Sequence, residues 1–233
     1  MKSFPTGGLA VVIGASGGIG GAIADALQAD GTFSEILRYS RGSEPAIDLT
    51  SEPSIARAAT GIAQRGELRL VFDATGFLHD DAFSPEKSWS QIDLAHIQKS
   101  FAVNAIGPAL LMKHLLPQLT TDGKTVFATL SAKVGSIGDN HLGGWYAYRA
   151  SKAALNQLVR TASVELKRKR PHAICVALHP GTVATGLTGP FAKTGLDVQT
   201  PHAAAADLLE AIDKLQPDDS GGFLDRFGQP IPW

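Results

Sequence analysis

One join near the start of the chain limits the possible folds more than any other feature. Five apolar residues, Leu9-Ala10-Val11-Val12-Ile13, run straight into Gly14-Ala15-Ser16-Gly17-Gly18-Ile19-Gly20. A short unbroken apolar run bounded by glycines reads as a strand buried on both faces. Behind the glycines, Ile19, Ile23, Ala26 and Leu27 recur at helical spacing, which predicts a helix over 19–29. The glycines Gly14, Gly18 and Gly20 are spaced G-x-x-x-G-x-G rather than G-x-G-x-x-G. They allow a tight turn whose backbone can approach a pyrophosphate, while the helix N-terminus offers N–H groups and partial positive charge. The plainer alternative is a tight strand-to-helix turn with no ligand.

The same alternation continues to the end of the sequence. Strands are predicted at 35–40, 46–49 (very short), 68–74, 125–131, 173–178 and 222–226. Helices are predicted from a Ser51 cap with Pro53 in the first turn to residue 64, over 91–119 with a kink at Pro108, over 143–169, and over 201–215 behind a Thr200 cap. Residues 75–90 form a long loop. Strands rich in Val, Ile, Leu and Ala that alternate with helices specify a doubly wound α/β fold. The expectation is a single Rossmann-type domain over residues 1–233, a parallel sheet of about seven strands with helices on both faces. At 233 residues the chain could hold two domains, but no element is left over for a second.

Composition excludes several function classes. Apolar residues make up 44% and charged residues 18%, which is too core-rich for disorder. Net charge is −1, so no whole-chain field attracts nucleic acid or anionic membrane. No stretch approaches the roughly 20 apolar residues of a membrane span, and one cysteine, Cys175, cannot form an internal disulfide. A soluble cytoplasmic protein is expected. The run Lys167-Arg168-Lys169-Arg170 falls at a predicted helix C-terminus, where cations suit the dipole, and the seven histidines show no metal-ligand spacing. Neither a nucleic-acid partner nor a metal is expected, and Cys175 reads as core filler.

The end of the second strand bears on the choice of dinucleotide. An acidic residue there accepts ribose hydroxyls, but this chain reads Arg38-Tyr39-Ser40-Arg41, with no carboxylate before Glu44. Ser40 followed by Arg41 suits a 2′-phosphate, because a guanidinium makes paired hydrogen bonds with phosphate oxygens. NADP(H) is therefore favoured over NAD(H), against the plainer reading of Arg41 as a solvated surface charge.

Tyr148-Arg149-Ala150-Ser151-Lys152 lies near the start of a predicted helix, where a spacing of four puts Tyr148 and Lys152 on one face. Taken with the glycine turn, the strand ending in Ser131 and Asn104 in the preceding helix, the sequence resembles the short-chain dehydrogenase/reductase family over essentially its whole length. Gly14, Gly18 and Gly20 match that family's cofactor turn, and Asp48-Leu49 its adenine-contacting pair. Asp73-Ala74-Thr75-Gly76 stands where the family usually has Asn-Asn-Ala-Gly. His179-Pro180-Gly181-Thr182-Val183-Ala184-Thr185 matches its segment beside the nicotinamide. The run 143–152 and the terminal Ile231-Pro232-Trp233 resemble the small carbonyl-reductase and C-factor-like branch. Too few residues separate Ser40 from Ile47 for the family's usual helix between strands two and three, so that helix is expected to be missing.

The resemblance implies an NADP(H)-dependent oxidoreductase. Tyr148 acts as general acid/base, Lys152 lowers its pKa and binds the ribose, and the Asn104 carbonyl holds water in a proton relay. Cofactor contacts fall on Gly14, Ser16, Gly17, Gly18, Ile19 and Gly20 in the turn and on Ser40, Arg41, Asp48 and Leu49 at the adenosine end. Ala74, Thr75, Gly76, Tyr148 and Lys152 are placed at the centre, and Pro180, Gly181, Val183 and Thr185 at the nicotinamide. Chemistry explains the pair: bringing a phenol from a pKa of about 10 to near 7 takes about 4 kcal/mol. One ammonium about 4 Å away gives roughly that at an effective dielectric near 20, so Lys152 supplies most of it, with help from the positive nicotinamide of the oxidised cofactor. The polarising serine is displaced. In Ser131-Ala132-Lys133-Val134-Gly135 the family's serine slot holds Ala132, leaving Ser131 one place early and Ser136 as a second candidate.

Phe77, Leu78, Trp145, Leu187 and Phe191 flank the motif loops and either line a substrate pocket or pack in the core. Residues 186–198, apolar and poor in charge, read as a lid suited to a small or medium apolar carbonyl or alcohol. The resemblance also implies a homodimer or homotetramer. A different class of function is an NADP(H)-binding signalling or sensor protein with little turnover, which the displaced serine favours.

Overall fold

A computed structural model describes residues 1–188 and 198–233. Its elements follow in order: β1 (Leu9–Ile13), α1 (Gly18–Asp30), β2 (Glu35–Tyr39), α2 (Glu52–Ala63), β3 (Leu68–Asp73), α3 (Leu94–Phe101) and α4 (Gly107–Leu115). Then come β4 (Thr125–Leu130), α5 (Tyr146–Lys169), β5 (Ala173–His179), β6 (Thr182–Val183), β7 (Val198–Gln199), α6 (Pro201–Lys214) and β8 (Phe223–Asp225). Six strands form one parallel sheet in the order β2-β1-β3-β4-β5-β8, and β6 pairs with β7 outside it. The strands β1, β3 and β4 are buried on both faces, which is why their sequences are nearly continuous apolar runs rather than alternating ones. Leu9, Val11 and Ile13 of β1 enter a core shared with α2, α4 and α5. Ala10 and Val12 enter the opposite core, shared with α1 and α6. From β1 the chain first winds outward to β2, then returns to place β3 on the other side. That reversal opens a crevice at the carboxyl ends of β1 and β3, the usual ligand position in such folds.

The sequence reading of this fold needs three corrections. Residues 46–49 are not a strand, so the main sheet has six strands. Two of their backbone donors are spent locally, Ile47 N–H on the Ser40 carbonyl and Asp48 N–H on Ser54 Oγ, and the Asp48 carboxylate takes the Thr50 N–H just after them. No ladder can form from donors already used, and β2 stays the edge. The expected long helix over 91–119 is broken into α3, a π-helical turn over Ala102–Ile106, α4 and a 3₁₀ turn over Leu116–Gln118. Pro108 lies just after the π turn rather than at a simple kink. The helix expected from residue 143 starts at Tyr146, because Gly143, Gly144 and Trp145 all have positive φ (64°, 65° and 54°). The helix expected to be missing between Ser40 and Ile47 is absent: residues 40–47 run through bends and turns, and α2 is the helix that leads on to β3. Thr200 caps α6 by accepting from Ala203 N–H at 3.2 Å, whereas Ser51 precedes α2 without a side-chain cap.

Candidate active site

The glycine turn is held by contacts that leave no room for a Cβ atom. Gly14 has φ +82°, and a Cβ there would lie 3.1 Å from the Ala74 carbonyl carbon. A Cβ on Gly20 would lie only 2.2 Å from the Gly14 carbonyl oxygen. Gly18 faces Thr185 and Pro201, whose side chains a Cβ would meet at 3.1 and 3.3 Å. The turn therefore touches the end of β3 on one side and the segment after β6 on the other. Gly17 precedes α1 with no side-chain cap, the first turn carries no acidic residue, and Ser16, Gly17 and Gly18 are exposed. Open backbone at a positively polarised helix end fits a pyrophosphate.

At the end of β2, Arg38 is committed to Asp25 at 2.7 Å, while Arg41 is exposed just past the strand. The Ser40 hydroxyl accepts from Gly42 N–H at 3.1 Å. Asp48 Oδ1 accepts from the Thr50 hydroxyl and N–H, which, with the charge of Arg41 nearby, holds its carboxyl below the usual range. Leu49 is buried against Gly107.

Tyr148 and Lys152 occupy the first two turns of α5, and both are buried, at 8% and 2% exposure. The Lys152 ammonium donates to the Leu130 carbonyl at 2.7 Å and lies 6.0 Å from the centroid of the Tyr148 ring. A Cβ on Gly76 would lie 3.9 Å from Lys152 Nζ and 3.8 Å from Asn104 Oδ1, so Gly76 brings the end of β3 up to both side chains. Burial lowers Lys152 to about 8, against the pull of buried Asp73, which favours its charge. Burial raises Tyr148 above the ordinary phenol range. This direction is opposite to the acidified phenol expected from the sequence. Desolvation of the buried phenolate accounts for this rise, and the Lys152 ammonium already donates to the Leu130 carbonyl.

In the sequence Asp73 stands out only as a departure from the family's Asn. It is fully buried at the end of β3, where Oδ1 accepts from the Thr75 N–H (3.0 Å) and hydroxyl (2.6 Å) and Oδ2 from the Thr129 hydroxyl (2.7 Å). Burial still pushes its carboxyl upward, with Lys152 among the groups opposing that.

Asn104 sits in the π turn, buried, and its side chain is wholly structural. Oδ1 accepts from Phe77 N–H at 2.7 Å, and Nδ2 donates to Phe77 O at 2.8 Å and to Ser151 Oγ at 3.0 Å. Its backbone carbonyl loses the usual donor four residues ahead, because that residue is Pro108.

Ser131 follows β4, but its buried hydroxyl donates to Asn156 Oδ1 at 2.6 Å. Ser136 is also buried; its oxygen accepts from Asp139 N–H at 3.0 Å. Gly135 presses on α5, where a Cβ would lie 2.9 Å from Lys152 Cβ. Asn156, two turns along α5 from Tyr148, gave no signal in the sequence. Gly181 has φ +80° and no space for a Cβ beside Arg226, and the Pro180 carbonyl accepts from Gln199 Nε2 at 3.2 Å. Val183 is buried in the small β6–β7 pair, and Thr185 Oγ1 lies 3.2 Å from Thr188 Oγ1. Of the expected lid, residues 189–197, with Phe191, lie outside the described residues. Leu187 reaches toward Gly76, while Phe77 and Leu78 are buried in the core.

Features read as bland pack as ordinary structure. Lys167 pairs with Asp218, Lys169 with Glu165, and Arg170 donates to the Pro117 carbonyl. Burial pushes the Cys175 thiol up to about 12. Among the described residues, no helix is long and apolar enough to cross a membrane, and no cluster of His, Cys, Asp and Glu could hold a metal ion.

A doubly wound sheet with an open glycine cradle beside a buried Tyr/Lys pair defines a dinucleotide-dependent oxidoreductase. Residues 8–195 match the short chain dehydrogenase family, and the chain belongs to it as an NAD(P)-dependent enzyme of that family. It is 34% identical to 1-hydroxy-2-glutathionyl-2-methyl-3-butene dehydrogenase of Rhodococcus sp. over 191 residues, 82% of this chain and 80% of the relative. It is 38% identical to C-signal of Myxococcus xanthus over 143 residues, 61% of this chain and 81% of that one. Its fold superposes on NADPH-bound carbonyl reductase from chicken fatty liver with a TM-score of 0.85 at 24% identity, covering 98% and 95% of the two chains.

Proposed function

We propose that this chain is an NADP(H)-dependent oxidoreductase for a small or medium apolar carbonyl/alcohol pair, with Tyr148 as general acid/base. One observation carries the reading: Tyr148, Lys152 and Asn104 converge with Gly76 at the crevice whose other wall is the glycine cradle. A bound nicotinamide would supply or accept the hydride. The chain's residues do the rest. Gly14, Ser16, Gly17, Gly18, Ile19 and Gly20 hold the pyrophosphate, Ala74, Thr75 and Gly76 line the centre, and Pro180, Gly181, Val183 and Thr185 flank the nicotinamide. Ser40 and Arg41 receive the 2′-phosphate, supported by Arg41's exposure and the commitment of Arg38 elsewhere. Asp48 and Leu49 lie at the adenine.

A phenol kept protonated by burial is poised to donate to the oxygen of a carbonyl as hydride arrives. Lys152 holds positive charge beside it, and the Asn104 carbonyl can hold the water that returns the proton. Ser131 or Ser136 polarises the carbonyl, Ser131 only by giving up Asn156. The same commitment, with Ala132 in the family's serine slot, supports the second reading, an NADP(H)-binding signalling protein similar in role to its relative C-signal. The enzyme is proposed to form a homodimer or homotetramer, with Ile106 and Val164 exposed between and on the helices that would pair.

NADPH oxidation measured over a panel of apolar aldehydes and ketones tests the reading. Tyr148→Phe is expected to keep NADPH affinity and lower turnover by roughly 10²–10⁴-fold. Tight NADPH binding without turnover on any compound would favour the signalling reading.

A further inference from the structure

The proton-donor reading uses no carboxylate, yet one lies buried under the start of the Tyr148 helix. Glu86 is 3% exposed and comes from the irregular segment between β3 and α3. Both its carboxylate oxygens lie 3.3 Å from Ala147 N–H, the residue before Tyr148, and its backbone carbonyl accepts from Trp145 N–H at 2.5 Å. Its partner on the other side is His96 of α3, 2% exposed, with Nδ1 3.1 Å from Glu86 Oε1. Aromatic packing fixes that imidazole. Phe83 stacks on it at 5.0 Å and 3°, and Phe77 meets it edge-on at 6.0 Å. His96 Nε2 is buried with no hydrogen-bond partner, so the ring is turned to serve Glu86 through Nδ1. A carboxylate at this place also faces the positive end of a 24-residue helix.

The backbone here needs such a hold. Gly143, Gly144 and Trp145 are left-handed in succession, and for Trp145 that conformation is intrinsically disfavoured. Arg149 clasps the segment from the opposite side, donating to the carbonyls of Gly144 (3.0 Å), Gly143 (3.2 Å) and Val134 (3.3 Å). Glu86 is the group that ties the same turn to α3 and to the loop carrying Phe77, whose backbone in turn holds Asn104.

We infer that Glu86, oriented by His96, is a positioning residue for the Tyr148 phenol, fixing the first turn of α5 so that the oxygen meets the substrate. This rests on the proton-donor reading of Tyr148. A positioning role predicts a split that a merely structural role does not: turnover falls while cofactor affinity and folding persist.

The test compares wild type, Glu86→Gln, His96→Phe and Tyr148→Phe with NADPH and an aromatic aldehyde, alongside NADPH titration by fluorescence and melting curves. Glu86→Gln is expected to lower kcat at least tenfold, with KM for NADPH within twofold of wild type and faster amide exchange at Trp145 and Ala147. His96→Phe, which keeps the ring stack, lowers kcat similarly, and the double variant is no worse than Glu86→Gln alone. If Glu86→Gln does not fold, Glu86→Asp takes its place with the same expected split. Folded variants with wild-type kcat, or losses of kcat and NADPH affinity in proportion, overturn the inference while a dead Tyr148→Phe leaves the proton-donor reading standing. An active Tyr148→Phe, or a wild type without turnover, overturns both.

Discussion

The two walls of the crevice are built by opposite means. On the β1–α1 side, position is set by missing side chains: Gly14 and Gly20 approach each other and Ala74 so closely that no Cβ fits. On the α5 side, position is set by desolvated polar groups, with Lys152, Asp73, Asn104 and Ser131 all nearly water-free and each hydrogen-bonded to a neighbour. The backbone wall should be sensitive to volume and indifferent to pH. The polar wall should tolerate small changes in volume and respond sharply to any change of charge, because an unpaired buried charge is costly.

Five substitutions and one pH profile would break or sharpen that contrast. Lys152→Met should have the largest effect, roughly 10³-fold in turnover, since it removes the charge beside the proposed proton donor. Wild-type kcat/KM for carbonyl reduction should be flat through neutral pH, because burial holds Tyr148 protonated, and fall as pH rises through about 8, where Lys152 loses its proton. A profile that rises through that range would break the charge argument. Gly20→Ala should come next, costing about 1–3 kcal/mol of stability through overpacking and weakening NADPH binding at every pH; a melting curve and a titration check both. Ser136→Ala and Ser131→Ala should differ from each other. If Ser136 polarises the carbonyl, its loss lowers kcat about tenfold to a hundredfold, and Ser131→Ala costs mainly stability by stranding Asn156. The reverse result would show that Ser131 abandons Asn156 when substrate is bound. Arg41→Ala should have the smallest effect, about a tenfold loss of NADPH affinity with NADH unchanged, since an exposed charge-assisted hydrogen bond is worth about 1.5 kcal/mol. Equal loss for both cofactors would remove the 2′-phosphate assignment.

How far each wall could be read in advance follows from the same contrast. The glycine turn was legible because a backbone site is written in local spacing. Tyr148 and Lys152 were legible for a related reason, since four residues on one helix are neighbours by geometry. Residues 46–49 misled because their short apolar pattern suits a strand, while side chains of Ser54 and Asp48 took the backbone donors. Ser131 was placed correctly at the end of β4, but its partner, Asn156, comes from 25 residues later.

By itself the sequence determined the alternating parallel sheet, the tight glycine turn and the Tyr/Lys face, because each depends on the order of neighbours along the chain. The tertiary structure alone decided the burial that raises the phenol's pKa, the commitment of the serine and the Glu86–His96 hold on α5. Those depend on which distant groups share a site without water, and desolvation is a property of the assembled interior that no local spacing records.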